Sequence, residues 1–399
     1  MTGNIAWISS RFDQVGGGER LIQEGLRYYR EAGREALIVT WSYNEQVSFN
    51  GEYAEPRIRL VNENGEGKNA KRAIRKLLDI PKIRRILREE KIDLVFVQSE
   101  YDIIIAWLAT LLMSTRVRFL IFGQMFQFPD DYAKYSLIFR RHLRKIVSSR
   151  PGYRETISLE TPKLAFIDRA VLELICIARY FAVRAADKCF AFSGQVAWET
   201  QLLFGRLPTI ARGAYRCSMI GRQFEVSDVL IRAGLDSKRI ILSASRLVPK
   251  KRVDLIIRAF SRAELDDFHL VIAGTGPELQ HLKMLASHSP KRDRIHFVGQ
   301  VHEKDLMPLK CYARLFVSMD IGDYDISPLE ALVVGTPIIL PTDFDADDDL
   351  RRTEGVRICQ PTIEALALEM TSAVSTRAKP SMRLLNSFTW EQYFQALQE

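Results

Sequence analysis

The sequence predicts an α/β protein built of two doubly wound domains that face a central cleft. Three observations carry that expectation. Short apolar, strand-like runs alternate with helical patterns along the whole chain. The alternation pauses after residue 211 and restarts at residue 240. A chain of 399 residues is also long enough to give each half a core of its own.

The first half opens with a strand, Ile5–Ile8, a glycine-rich turn (Gly16, Gly17, Gly18) and a helical pattern to about Ala32. Leu37–Trp41 reads as the next strand, and a strongly basic helix at about Lys68–Glu90 leads into strand Leu94–Val97. Helix Ile103–Leu112 and strand Arg118–Phe122 continue the pattern. Gly123–Thr161 breaks the alternation and reads as an insertion beside the sheet. A long helix from Lys163 to Ala186, strand Cys189–Phe192, helix Gln195–Phe204 and a short strand at Thr209–Ala211 close the half. Strands separated by helices imply a parallel sheet covered on both faces.

Residues Arg212–Ser237 lose the strand signal and read as a connection. The second half then repeats the grammar. Strand Ile240–Ala244 precedes helix Val253–Ala263, strand His269–Ala273, helix Pro277–Ala286 and strand Ile295–Val298. Helix Glu303–Cys311, strand Leu315–Ser318, a short helix near Ser327, strand Ile338–Leu340 and helix Thr362–Val374 follow. Trp390, Tyr393, Phe394 and Leu397 mark the face of a C-terminal helix. The domains expected are residues 1–212, with a helix at 386–399 packing back on them, a linker at 213–237, and residues 238–385.

Composition excludes several classes. Five scattered cysteines without a C-x-x-C read as reduced thiols, neither a disulfide framework nor a zinc site. The N-terminus lacks a basic region followed by an apolar one, so no signal peptide is expected and the location expected is cytoplasmic. The apolar run Ile103–Thr115 is too short to span a bilayer and reads as a buried helix. Residues 1–220 hold 34 Lys and Arg against 24 Asp and Glu, whereas residues 221–399 hold 23 against 25. Two basic clusters, Lys68 to Arg88 and Arg140 to Arg150, are either solvated helix faces or a surface for an anionic membrane leaflet. Nucleic acid is not expected, because no nucleic-acid motif accompanies the charge.

The most informative stretch is Asp320–Pro337, DIGDYDISPLEALVVGTP. Ser327 stands three residues before Glu330, which is the spacing of a capping box, and Pro328 suits the first helical position. Gly335 and Pro337 stop the helix. Such an N-terminus, with its N–H groups and dipole, is a seat for a phosphate.

These residues resemble glycosyltransferase family 4, the glycosyl transferases group 1 domain: retaining enzymes of GT-B fold, with two Rossmann-like domains. GGGER resembles that family's glycine-rich loop. SASRLVPKKRVDLIIRAF resembles its R-L-x-x-x-K-x-x-x-x-L-I-x-A-F segment, and AGTGPELQHL its G-x-G-P-x-x-x-x-L. IHFVGQV and ISPLEALVVGTPII resemble its strand lead-in and its donor-site helix. The resemblance implies a donor sugar nucleotide, a UDP- or GDP-sugar, with Arg246 and Lys251 as cations on the leaving diphosphate. It assigns donor contacts to Gly17, Gly18, Gly276, Ile326, Ser327 and Leu329, a backbone contact with the base to Val301, and the ribose hydroxyls to Glu330. The bland alternative for Glu330 is the capping box itself. The family uses no metal, and the Asp345–Asp349 run reads as a solvated turn.

Three departures stand out. The family's first motif glutamate falls at Gly322, so Asp323 or Asp325 is the substitute or the function is absent. Gln127 replaces a histidine, and Arg212 opens a segment where Asn-Gly-Val-Asp is usual; both are acceptor-side candidates. The expected activity is retaining transfer of a hexose, mannose among the candidates, to a hydroxyl of a lipid-linked or polysaccharide acceptor at the membrane periphery. The alternatives are a catalytically silent GT-B protein that binds a sugar nucleotide or partner, and a GT-B epimerase, which would need cleft carboxylate and histidine groups not evident here.

Overall fold

The computed structural model describes residues 3–13, 16–44, 53–61, 76–121, 135–149, 165–321, 324–343, 348–376 and 378–399. Two units emerge. One holds the described residues up to Ala211 together with Ala396–Glu399, and the other holds Arg212–Gln395.

The first unit is a parallel sheet of seven strands, β1 (Asn4–Ser9), β2 (Ala36–Thr40), β3 (Arg57–Leu60), β4 (Ile92–Val97), β5 (Arg116–Ile121), β6 (Lys188–Ala191) and β7 (Thr209–Ile210), in the order β3-β2-β1-β4-β5-β6-β7. Trp7 in β1 pairs with Ile38 on one side and Phe96 on the other, which sets the register of the centre. Its strands read as continuous apolar runs because helices cover both faces; Ile5, Trp7, Ile38, Val95 and Phe119 are all fully buried. The apolar run after β4 is a buried helix, Asp102–Thr110, as expected.

β3, an edge strand, leaves little strand signal in the sequence because charge interrupts it. Its RIRL sequence turns two arginines outward, and Arg57 and Arg59 both bind the Glu90 carboxylate, the former at 2.6 Å. Charge on an edge blocks further strand addition and also erases the apolar signal. Within the expected insertion a helix, Leu137–Ser149, is described; FQFPDDY lies outside the described residues. Of the expected helix at Lys68–Glu90 the structure describes Ile80–Glu89 as a helix.

The second unit repeats the design with six parallel strands, β8 (Arg239–Ala244), β9 (Phe268–Ala273), β10 (Ile295–Gly299), β11 (Leu315–Val317), β12 (Ile338–Pro341) and β13 (Val356–Cys359), in the order β10-β9-β8-β11-β12-β13. Helix Val253–Arg262 buries Val253, Ile256, Ile257 and Phe260, the three- and four-residue spacing of one helical face. That face joins Leu270 and Ile272 from the sheet and Leu366 and Met370 from helix Ile363–Ala373 in one core. β13, the other strand missed in the sequence, is again an edge.

Strand order reverses between β8 and β11, and such a reversal opens a crevice beyond the carboxyl ends of the strands. The stretch expected to be a plain connection contains a short helix, Asp228–Arg232, capped by Ser227. The C-terminal helix is Trp390–Ala396, preceded by an unforeseen helix, Met382–Ser387. Trp390 packs where a Cβ on Gly213 would stand 2.4 Å from its ring, and Trp390 N donates to Tyr215 O at 2.8 Å. Among the described residues no helix is long and apolar enough to cross a membrane.

Candidate functional site

Four loops leave the carboxyl ends of β8 to β11, and the backbone ties them to one another. Ser245 and Leu247, after β8, donate to Ala273 O at 3.0 Å and Thr275 O at 2.9 Å, after β9. Gly274 N donates to Gly299 O at 2.7 Å, at the end of β10, and Ile321 N, after β11, donates to Lys250 O at 3.1 Å. The closeness explains the G-x-G-P sequence. Gly274 has φ +134°, and a Cβ at Gly276 would stand 2.2 Å from the Leu247 carbonyl oxygen.

On this platform the basic residues converge. Lys251 ends the turn Pro249–Lys251 and reaches Asp320 Oδ2 at 2.6 Å and Asp325 Oδ2 at 3.4 Å. Burial alone would lower its pKa, but the Asp320 and Asp325 carboxylates outweigh burial and raise it, so Lys251 is firmly charged. Its neighbour Lys250, which no sequence motif singles out, has its pKa lowered, first by burial and further by Lys251 and Arg246, with Asp320 and Asp325 opposing. Arg246 is exposed on the loop after β8. Arg252 occupies the left-handed region at φ 47° and is held there by Asp343, Nη2 to Oδ2 at 3.0 Å.

The helix that follows β11 differs from its expected start. It runs Ile326–Val333, and its N-cap is Asp325 rather than Ser327. Asp325 Oδ1 accepts from Ser327 N at 3.3 Å, while its Oδ2 accepts from Ser318 Oγ at 2.8 Å. Pro328 is therefore the third helical residue. There is no capping box: Glu330 Oε2 instead accepts from the Lys310 ammonium, and both side chains are buried. Asp325 won the cap because Ser318 and Lys251 already hold its carboxylate in place.

That geometry reallocates the N–H groups. Ser327 N–H is taken by Asp325, Pro328 has none, and Leu329 N–H closes the first helical turn onto the N-cap carbonyl. Of the expected backbone donors of the first turn, Ile326 is left. Anion binding at this edge therefore falls more heavily on the side-chain cations than the sequence suggested.

Val301 is partly buried immediately after β10. In the first unit, helix Gly17–Glu31 starts after an extended Gly16, and a Cβ on Gly18 would stand 3.0 Å from Gln98 Oε1, just past β4. Arg212 is partly buried after β7. Asp323, Gln127 and Gly322 lie outside the described residues, as do Asp345–Asp347 of the acidic run. Among the described residues no cluster of His, Cys, Asp and Glu has the makings of a metal site.

The profile of the glycosyl transferases group 1 family matches residues 232–384, and that of Glycosyltransferase Family 4 matches residues 15–150. The GDP-mannose-dependent alpha-(1-6)-phosphatidylinositol monomannoside mannosyltransferase of Mycolicibacterium smegmatis is 30% identical over 118 residues, covering 27% of this chain and 31% of that protein. Alpha-monoglucosyldiacylglycerol synthase of Streptococcus pneumoniae is 31% identical over 107 residues, covering 26% of this chain and 24% of that protein. The chain thus spans about a third or less of the length of these curated relatives. Among solved structures, Anabaena Alr3699/HepE in complex with UDP and glucose aligns with TM-score 0.66 at 14% identity, covering 99% of this chain and 94% of that one. Sucrose-phosphate synthase from Thermosynechococcus elongatus aligns with TM-score 0.70 at 15% identity, covering 99% and 98%. Those likenesses speak for the fold, the two profiles together cover most of the sequence, and the chain belongs to the family 4, glycosyl transferases group 1, glycosyltransferases of GT-B fold.

Proposed function

We propose that this protein transfers a hexose from a UDP- or GDP-sugar to a hydroxyl of a lipid-linked or polysaccharide acceptor, with retention at the anomeric carbon. The observation that carries the reading is the cation group Arg246, Lys250 and Lys251 on a loop fastened to its three neighbours at the carboxyl edge of β8–β11. Breaking the bond between the anomeric carbon and the diphosphate oxygen concentrates negative charge on the leaving phosphate. Fixed cations aimed there stabilise the transition state more than the ground state.

In this reading Lys251 is positioned by Asp320 and Asp325, Ile326 N–H assists, and Gly17, Gly18 and Gly276 let backbone approach the donor. Glu330 binds the ribose hydroxyls and Val301 meets the base. As the anomeric C–O bond breaks, the acceptor oxygen bonds the same carbon and its proton passes to the leaving phosphate. Asp325 is engaged in capping and in holding Lys251, so its part is positioning rather than proton transfer. The side-chain cations do the work assigned elsewhere to a metal, and turnover is expected to persist in EDTA. Location at the inner face of a membrane belongs to the same reading, supported by the lipids in the names of the curated relatives, phosphatidylinositol monomannoside and monoglucosyldiacylglycerol.

The test is a thermal-shift panel of UDP- and GDP-sugars with donor hydrolysis measured in parallel. Lys251→Met is expected to weaken the bound nucleotide about 10- to 100-fold, the value of a charge-assisted phosphate contact. Unchanged nucleotide binding in both Lys251→Met and Glu330→Gln would falsify the assignment. Stabilisation without turnover on any acceptor would select the silent alternative.

A further inference from the structure

Helix Phe166–Ala185 in the first unit has two apolar sides. Leu172, Cys176, Ala182 and Val183 are buried against the unit. On the other side Phe166 is 87% exposed, Ile167 74%, Leu174 65%, Phe181 53% and Ile177 41%. At 100° per residue these five fall in one arc of about 100°, and at 1.5 Å per residue they run along roughly 22 Å of helix. Single exposed apolar residues are ordinary; a continuous stripe of five marks an interaction face.

A second helix, Leu137–Ser149, is pinned beside the middle of the stripe. The Glu173 carboxylate accepts from Leu137 N and from Ser136 Oγ, each at 2.7 Å. This neighbour buries Phe139, Leu143, Ile146 and Val147 and turns Leu137, Arg141, Arg144 and Lys145 outward. No acidic residue occurs in it. An apolar stripe therefore lies next to a purely basic helix face.

We propose that these two helices form a docking face for the surface of an anionic lipid bilayer, with the apolar stripe among the acyl chains and the cations at the headgroups. Apolar area and juxtaposed cations are the two terms that hold an interfacial helix on an anionic leaflet. A second copy of the chain is the poorer occupant, since this face carries no acidic residue on its basic helix to complement the cations of the other copy. The proposal rests on the transferase reading only in expecting a membrane-borne acceptor.

The test is co-sedimentation of the full chain with phosphatidylglycerol-rich vesicles and with pure phosphatidylcholine vesicles, beside sedimentation velocity without lipid. The wild type is expected to pellet with the anionic vesicles only. Leu174→Ser with Phe181→Ser should weaken binding at least ~10-fold through lost apolar burial. Arg141→Glu with Arg144→Glu should weaken it by roughly 5-fold or more per site. Circular dichroism and nucleotide-induced thermal shifts should be unchanged in both, which separates this proposal from the transferase reading. Equal binding by the variants, binding indifferent to lipid charge, or a dimer dispersed by the serine pair with no vesicle binding would each overturn it.

Discussion

Lys310→Met tests how the second unit holds Glu330. Lys310 is fully buried and Glu330 is 2% exposed, so solvent does little to screen the pair. The ammonium also lies 5.9 Å from the Phe316 ring centroid. Removing one partner of a buried ion pair leaves the other charge uncompensated, at a cost of about 3–5 kcal/mol. For a unit of this size each kcal/mol moves the midpoint by about 2–4 °C, so a fall of roughly 6–20 °C is expected. The informative control is Lys310→Met with Glu330→Leu. Replacing both charges by apolar groups is close to neutral for stability, so the double variant should recover most of the lost melting temperature. It should not recover nucleotide binding, because the carboxylate assigned to the ribose is gone. Calorimetric melting with and without UDP and GDP reads both effects. A single variant that costs less than about 1 kcal/mol, or a double variant no more stable than the single, would refute the account of a buried, mutually dependent pair.

Two further outcomes follow from the same unit. Arg252 is strained at φ 47° and compensated by Asp343. Arg252→Gly and Arg252→Ala both lose the ion pair, but only glycine relieves the backbone, so the alanine variant should be less stable by about 1 kcal/mol in denaturant melts. Equal stability would show that the left-handed backbone carries no cost there. The second outcome concerns His269 and His296, on adjacent strands β9 and β10, whose Nδ1 and Nε2 stand 2.9 Å apart. Burial, together with the facing imidazole and the cations Lys238 and Arg294, lowers His269 below the ordinary 6.5, and burial lowers His296. The unfolded chain therefore binds protons first, so the pair's stabilisation is full above about pH 6.5 and is lost as pH falls. The drop in melting temperature from pH 7 to pH 5 should shrink in the double His→Gln variant; an unchanged drop would place the titration elsewhere.

The fold class, the alternation of strands and helices, the restart near residue 240 and the family can all be read from the residues alone. The reason is local: buried parallel strands and amphipathic helices leave strong apolar periodicities, and RLVPKK, GTGPE and SPLEALVVGTP are contiguous. What the sequence misses is set by position in the tertiary structure. β3 and β13 escaped because arginines interrupt their short RIRL and VRIC runs and dilute the apolar pattern, which an edge position tolerates. The N-cap moved from Ser327 to Asp325 because Ser318 and Lys251, distant in sequence or on another loop, hold the Asp325 carboxylate. The residues around Glu330 offer a capping-box partner or a ribose ligand, and nothing near it in sequence announces Lys310, twenty residues away on another helix. Lys250 was visible beside Lys251, but only burial among Arg246, Lys251 and the two aspartates marks it as part of the cation group. Periodicity reports what a residue does within its own element, whereas ion pairs and caps between elements depend on which loops the sheet order brings together.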